Sequence, residues 1–148
     1  MALVRHILED ARKRLAVLGR EAPIAEAAAI LADPNTPLVV VCDGEGVVVG
    51  IISKTNIVRA LARSKGDAVK ITIGDVVTKV VFACHADYTL QRVWDAMKER
   101  AVRSVPVLDD SGRPLGVVHA RDLASALLNE VDEEEVLLRD YFLGIGYQ

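Results

Sequence analysis

Aromatic residues are scarce in this chain, 4% of 148 residues, so its interior has to be assembled from Val, Ile, Leu and Ala rather than from large rings. Cysteine is nearly missing as well: Cys42 and Cys84 stand without a CxxC and without a His at metal-ligand spacing, which argues against a zinc site. Cys42 falls in the apolar run 38–42 and reads as a buried, reduced thiol. A basic excess is also lacking, with 18 Lys and Arg against 21 Asp and Glu and a net charge of −3; duplex nucleic acid is therefore not an expected partner. No window of about 18 residues is uninterruptedly apolar, so no membrane span is expected. Arg5 and His6 break the N-terminus before an apolar stretch develops, unlike a signal peptide. A soluble protein in a reducing, cytoplasmic setting is the expectation.

What is present is a repeat. Sliding the sequence against itself by 66 residues brings nine identities into register without a gap: Ile7 on Ile73, Lys13 on Lys79, Val39 and Val41 on Val105 and Val107, Asp43 on Asp109, Gly46 on Gly112, Gly50 on Gly116, and Ala60 and Leu61 on Ala126 and Leu127. Self-similarity at a fixed period decides architecture before any local pattern does.

The pattern within each copy agrees with that register. A short apolar segment, 15–18 or 80–84, reads as a brief strand. A helical stripe follows: Ile24, Ala27, Ala28 and Leu31 in the first copy, Leu90, Val93, Trp94 and Met97 in the second. Thr89 suits an N-cap and Pro23 a first helical turn. β-Branched runs at 38–42 and 104–108 then enter Asp/Gly turns at 43–46 and 109–112, the punctuation of a hairpin. Returning strands at 47–52 and 115–118 lead to closing helices through Ile57, Ala60, Leu61 and Leu123, Ala126, Leu127. The expected fold is α/β (α+β): two tandem β-α-β-β-α repeats, 1–62 and 71–130, packed sheet to sheet with pseudo-twofold symmetry. One unit alone cannot cover its own sheet, whereas two can. A linker at 63–70 and a C-terminal tail at 131–148 complete the chain.

The stretches from Pro37 to Asn56 and from Ser104 to Asp122 carry an apolar strand, an Asp/Gly turn and a strand ending in Gly-x-x-[Ser/Thr/His]-x-x-[Asp/Asn]. In this the sequence resembles the CBS-domain family, over roughly residues 4–129, and the two copies together resemble a tandem CBS pair. The resemblance implies a regulatory module rather than an enzyme, binding an adenosyl-containing ligand (AMP, ADP, ATP, NAD(H) or S-adenosylmethionine) with no cofactor required. It further implies a homodimer that acts in trans on a separate effector protein, since no effector domain is apparent in the sequence.

On that resemblance the site residues would be Ser53, Lys54, Thr55 and Asn56 in the first copy and Arg103, His119, Arg121 and Asp122 in the second. Helix starts at Thr55 and Arg121 offer backbone N–H groups to a phosphate; Ser53, His119 and Arg103 are donors; Asn56 and Asp122 would accept from ribose hydroxyls. Residues 17–19 and 83–85 would line an adenine pocket. The copies differ. Asn56 replaces the family's Asp, Pro37 stands opposite Arg103 with Lys54 as a substitute donor, and His119 in place of Ser or Thr suggests sensitivity near pH 6–7. The Asp122 site is expected to be the better ribose binder, and a structural dimerisation module with decayed sites is the alternative. Ser53 and His119 lack the third group that a hydrolytic triad needs. Asp122 and Asn56 could also serve as helix caps alone. Trp94 reads as core or dimer interface, and His85 as a loop residue. The tail holds three of the five Tyr and Phe residues, Tyr141, Phe142 and Tyr147, and is expected to be helical and to pack on the body or on a second subunit, with Gly144 and Gly146 stopping it.

Overall fold

In the computed structural model, which describes residues 1–65, 67 and 70–143, the β-branched runs form the strands their pattern predicts. In chain order the elements are a 3-10 turn (Val4–Ile7), α1 (Leu8–Lys13), β1 (Val17–Gly19), α2 (Ile24–Leu31), β2 (Val39–Cys42), β3 (Val48–Ile52), α3 (Lys54–Ser64), α4 (Ile73–Val76), α5 (Leu90–Arg100), β4 (Ser104–Leu108), β5 (Pro114–His119) and α6 (Ala120–Leu143). One sheet has the order β1-β2-β3, with β1 parallel and β3 antiparallel to β2; the other pairs β4 with β5.

The 66-residue period persists in the pairing. Leu18 lies opposite Val41, and Cys84 lies opposite Val107 in the same parallel sense. The expected strand at 80–84 is reduced to that one contact, in which the Cys84 N–H donates to the Pro106 carbonyl (3.0 Å) and the Leu108 N–H to the Cys84 carbonyl (2.9 Å). The residues before it are drawn elsewhere, because Thr78 pairs with Ile51 of the other sheet. Both hairpin turns are closed by an aspartate. Asp43 Oδ1 accepts from the N–H of Glu45 and Val47, and Asp109 Oδ1 from those of Ser111 and Arg113. Gly46 and Gly112 close the turns with φ of 82° and 85°, a region that side-chain-bearing residues avoid.

Alternation along β2 sorts the core. Val39 and Val41 face α2 and α3 with Ile24, Leu31, Ile52 and Ile57, while Val40 and Cys42 meet Val117 in the seam between the sheets. Each fully buried Val or Leu here contributes about 1.5–3 kcal/mol. Both thiols are buried, and burial pushes Cys84 up to about 12 and raises Cys42.

The sequence reading missed a short helix ahead of each copy, and these helices are exchanged between the halves. Ala11 of α1, together with Val4, packs with Val105, Val107 and Leu123 of the second copy; Ile73 of α4 packs with Val39, Val41 and Ile52 of the first. Gly50 and Gly116 are the crossing points. A Cβ on Gly50 would lie 2.4 Å from Val77 Cγ2 and 2.5 Å from the Thr78 carbonyl oxygen, and one on Gly116 would lie 2.8 Å from the Ala11 backbone.

α3 runs to Ser64, into the stretch read as linker, of which Gly66, Ala68 and Val69 lie outside the described residues. The tail differs more. α6 continues unbroken past residue 130 to Leu143 and does not fold back on the body: Leu137 is 69% and Leu138 58% exposed. Residues 144–148, with the expected stop at Gly144 and Gly146, lie outside the described residues. Among the described residues no helix is long and apolar enough to cross a membrane.

α5 ends on Ala101 in the left-handed conformation, φ 54°, a place that glycine normally fills. Replacing Ala101 by Gly is expected to raise the unfolding free energy by roughly 1 kcal/mol, read from the urea midpoint.

Candidate functional site

At each copy the returning strand passes straight into a helix, and the polar residues at that junction face a cleft. In the first copy Ser53 and Asn56 are bound to each other as a capping box. Asn56 Oδ1 accepts from the Ser53 N–H (2.8 Å) and hydroxyl (2.9 Å), and Ser53 Oγ accepts from the Asn56 N–H (3.4 Å). This corrects the expected role of Asn56: its oxygen already has two donors, so the amide NH2, a donor, is the group left for a ligand. Lys54 and Thr55 are exposed on the first turn of α3.

Next to this junction opens the larger cleft, about 680 Å3, between α3 and residues 71–78. Its volume is in the range of small-molecule sites. Asn56, Arg59 and Arg63 form its α3 wall, with Thr78, Val77 and Asp75 opposite. Asp75 accepts from the Thr72 N–H and hydroxyl (3.0 and 3.1 Å). Among the described residues neither Arg59 nor Arg63 is ion-paired. Sequence reasoning overlooked both, although the i, i+3, i+7 spacing from Asn56 places them on one helix face.

In the second copy Asp122 is held by a residue that the sequence reading also overlooked. Arg14, just beyond α1, donates from Nε to Asp122 Oδ2 (2.7 Å) and from Nη2 to Oδ1 (3.2 Å), and its Nη1 donates to the Asn35 carbonyl (3.1 Å). Both side chains are mostly buried, 15% and 21% exposed. The guanidinium keeps the Asp122 carboxyl below the usual aspartate range, and the carboxylate in turn raises Arg14. The cleft here, bounded also by Lys13 and Asp33, is about 360 Å3.

His119 lies opposite Ser104 at the edge of β5, and its Nδ1 accepts from the Arg121 N–H (3.0 Å), so it caps the start of α6. Burial pushes its pKa below the ordinary value, and the Arg14 cation adds to this. The imidazole therefore stays neutral at lower pH than the expected pH 6–7 response assumed. Arg103 is exposed at the start of β4, its carbonyl accepting from the Ala120 N–H (2.8 Å), and Arg121 is exposed as well. Of the four second-copy residues Asp122 lines the second cleft, and the charges of Arg103, Arg121 and Asp122 act on the His119 imidazole.

The expected adenine wall falls elsewhere. Gly19 pairs with Cys42 and Cys84 with Val107, at the hairpin-turn end of each sheet, while Ser53 and His119 stand at the other end. Gly19 lines a separate hollow of about 390 Å3 with Cys42 and Asp43. His85 is a loop residue whose ring lies 5.3 Å from that of Tyr88.

Two halves related by a fixed period, exchanging their leading helices and opening a cleft at each strand-to-helix junction, define a tandem α/β repeat module. The family model described as CBS domain matches residues 4–63 and 73–129, and the chain belongs to the CBS-domain family. The CBS-domain pair of protein MJ0100, solved with 5′-methylthioadenosine and S-adenosyl-L-methionine, superposes with a TM-score of 0.73 at 30% identity, over 88% of this chain and 98% of that one. An uncharacterised 17.7 kDa protein of Acidianus ambivalens is 32% identical over 83% of this chain and 73% of its own length. The L-aspartate semialdehyde sulfurtransferase of Methanocaldococcus jannaschii is 35% identical over 68% of this chain. The chain spans only 19% of that enzyme's length.

Proposed function

We propose that this chain is a regulatory, non-catalytic module that senses an adenosyl compound carrying an anionic group and transmits its occupancy to a separate effector protein. The observation that carries the reading is the 680 Å3 cleft beside Asn56, with two guanidinium groups that have no ion-pair partner among the described residues. Arg59 and Arg63 suit a phosphate or carboxylate as forked donors. The Asn56 amide sits beside them to donate to the sugar or the base, whereas Ser53, Lys54 and Thr55 are not among the residues that line this cleft. The adenosyl class is supported by the MJ0100 pair, whose two ligands are both adenosyl compounds.

At the second junction Asp122, with Arg14, His119, Arg121 and Arg103, forms a smaller site. A ribose diol would share the carboxylate with Arg14 there. The order expected from the sequence is thereby reversed, because the first-copy cleft is the roomier and less self-satisfied of the two. A ligand bridging α3 and residues 71–78 touches both halves at once, and it shifts their relative placement only as far as it binds one arrangement better than another. The Arg14–Asp122 pair favours the second reading, a dimerisation module whose second site has closed.

Calorimetric titration separates these. AMP, ATP, NADH or S-adenosylmethionine is expected to bind more tightly than neutral 5′-methylthioadenosine. Arg63→Ala is expected to weaken the anionic ligand about 10- to 100-fold, the effect of losing a charge-assisted hydrogen bond. Heat signals absent for every one of these ligands at about 1 mM would leave the dimerisation module standing.

A further inference from the structure

At matching positions of the repeat the two clefts differ in charge. Asn56 falls on Asp122 and Arg59 on Ser125, so the first cleft has an amide and a guanidinium where the second copy has a carboxylate and a hydroxyl. Asn56 Oδ1 is taken by the Ser53 N–H and hydroxyl, which leaves only the NH2 for a ligand. Arg59 and Arg63 follow on the same face of α3, both exposed and neither ion-paired among the described residues. Three donor groups thus run about 10 Å along one wall. Asp75 stands on the opposite wall, and its Oδ2 accepts from the Thr72 N–H and hydroxyl. Its other oxygen is left to accept from the amino group of a base lying against Ile71, Val76 and Val77, which line the cleft beside it. The base therefore belongs on that wall and the sugar on α3.

We propose that the first cleft takes a nucleoside phosphorylated on its sugar, at the 2′ or 3′ oxygen, in addition to an anionic group at its 5′ end. The inference rests on the adenosyl reading above and adds the form of the sugar. A free ribose diol needs an acceptor for its two hydroxyl protons, which a carboxylate such as Asp122 supplies. Beside Asn56 and Arg59 the diol meets donors, and its protons stay with water. A phosphate on that edge accepts from the Asn56 amide and the Arg59 fork together, while Arg63, one turn along α3, holds the 5′ anion. A 5′-diphosphate places both charges on the Arg63 side and leaves Asn56 against an unmodified diol. The amide also acts as a filter, because a carboxylate at position 56 would repel a phosphorylated sugar.

Calorimetry on the full chain tests this by comparing adenosine 3′,5′-bisphosphate and adenosine 2′,5′-bisphosphate with ADP, whose two phosphates lie on one side of the sugar. At least one bisphosphate is expected to bind about 10-fold or more tightly than ADP. Asn56→Asp retains the oxygen that caps α3, and it is expected to weaken that bisphosphate about 30-fold or more and to abolish its advantage over ADP. Arg59→Ser, at an exposed position of α3, is expected to weaken it about 10-fold. ADP binding as tightly as both bisphosphates overturns the proposal and leaves the adenosyl reading standing. A bisphosphate preference that survives both substitutions also overturns it, since the sugar phosphate then lies away from Asn56 and Arg59. No binding by any of the three at about 1 mM overturns it as well, and the adenosyl reading falls with it only if AMP, NADH and S-adenosylmethionine are equally silent.

Discussion

Adding a single methyl group at Gly50 or at Gly116 is expected to lower the unfolding free energy by about 3 kcal/mol or more, a large share of what holds a domain of this size folded. Neither glycine is needed for its backbone angles, since only Gly46 and Gly112 have positive φ among the glycines described. The cause is contact. At Gly50 the new atom meets the Thr78 carbonyl oxygen, and at Gly116 the carbonyl carbon and oxygen of Ala11. Backbone atoms cannot rotate away, so relief requires α1 or residues 77–78 to move off the sheet, which uncovers Ile73 on one side or Val4 on the other. Trimming the neighbours helps little: Val77→Ala removes one clash at Gly50 and leaves the carbonyl at 2.5 Å. Gly44→Ala is the control, because nothing lies within 4 Å of a Cβ there. Urea denaturation monitored by circular dichroism reads the difference, and losses under about 1 kcal/mol at both sites would contradict the crossed packing.

The second large effect concerns Asp122. Asp122→Asn is expected to cost roughly 1–3 kcal/mol at neutral pH, because the Arg14 guanidinium loses its charged acceptor in a mostly buried place. The sign of the pH dependence follows from the shift. Asp122 has a folded-state pKa below its ordinary value, so its contribution is complete above about pH 4 and is lost as pH falls through the lower folded value. The gap between wild type and Asp122→Asn should therefore be full at about pH 7 and pH 5 and should close toward about pH 2. His119 acts over a different window. Its folded pKa is also depressed, so the unfolded chain takes up a proton first as pH drops below about 6.5, and stability declines from there. His119→Gln should remove that upper slope and leave the lower one. A gap between wild type and Asp122→Asn that widens toward acid would show that the pair is not formed in solution.

The sequence repeat made the hairpins, their Asp43 and Asp109 turns and the Gly50/Gly116 pair legible, because those features occur twice and in register. What it hid was whatever occurs once. Arg14 falls on Val80, and Arg59 and Arg63 fall on Ser125 and Asn129, so alignment of the copies passed over the very cations that distinguish the two clefts. The leading helices escaped for another reason. Leu8–Lys13 and Ile73–Val76 are six and four residues long, too short to be stable or to show a helical stripe, and they persist only by packing on the opposite half. The same long-range pull reduced the expected strand at 80–84 to one bridge. Asn56 and His119 were placed correctly, at the mouths of helices. The hydrogen bonds of Asn56 to Ser53 were the capping alternative already visible in the sequence, whereas the cap that His119 gives the Arg121 N–H was not read there.

Because each half wears the other's leading helix, cutting the chain near residue 65 does not release two independent units. A fragment holding residues 1–65 would keep α1 with nowhere to lie and would leave Gly50 uncovered; two such fragments could satisfy one another only by trading α1 reciprocally, in the manner of a domain swap. Duplication followed by fusion of a self-paired ancestor would leave the same imprint, with what was once an exchange between separate molecules written into one polypeptide.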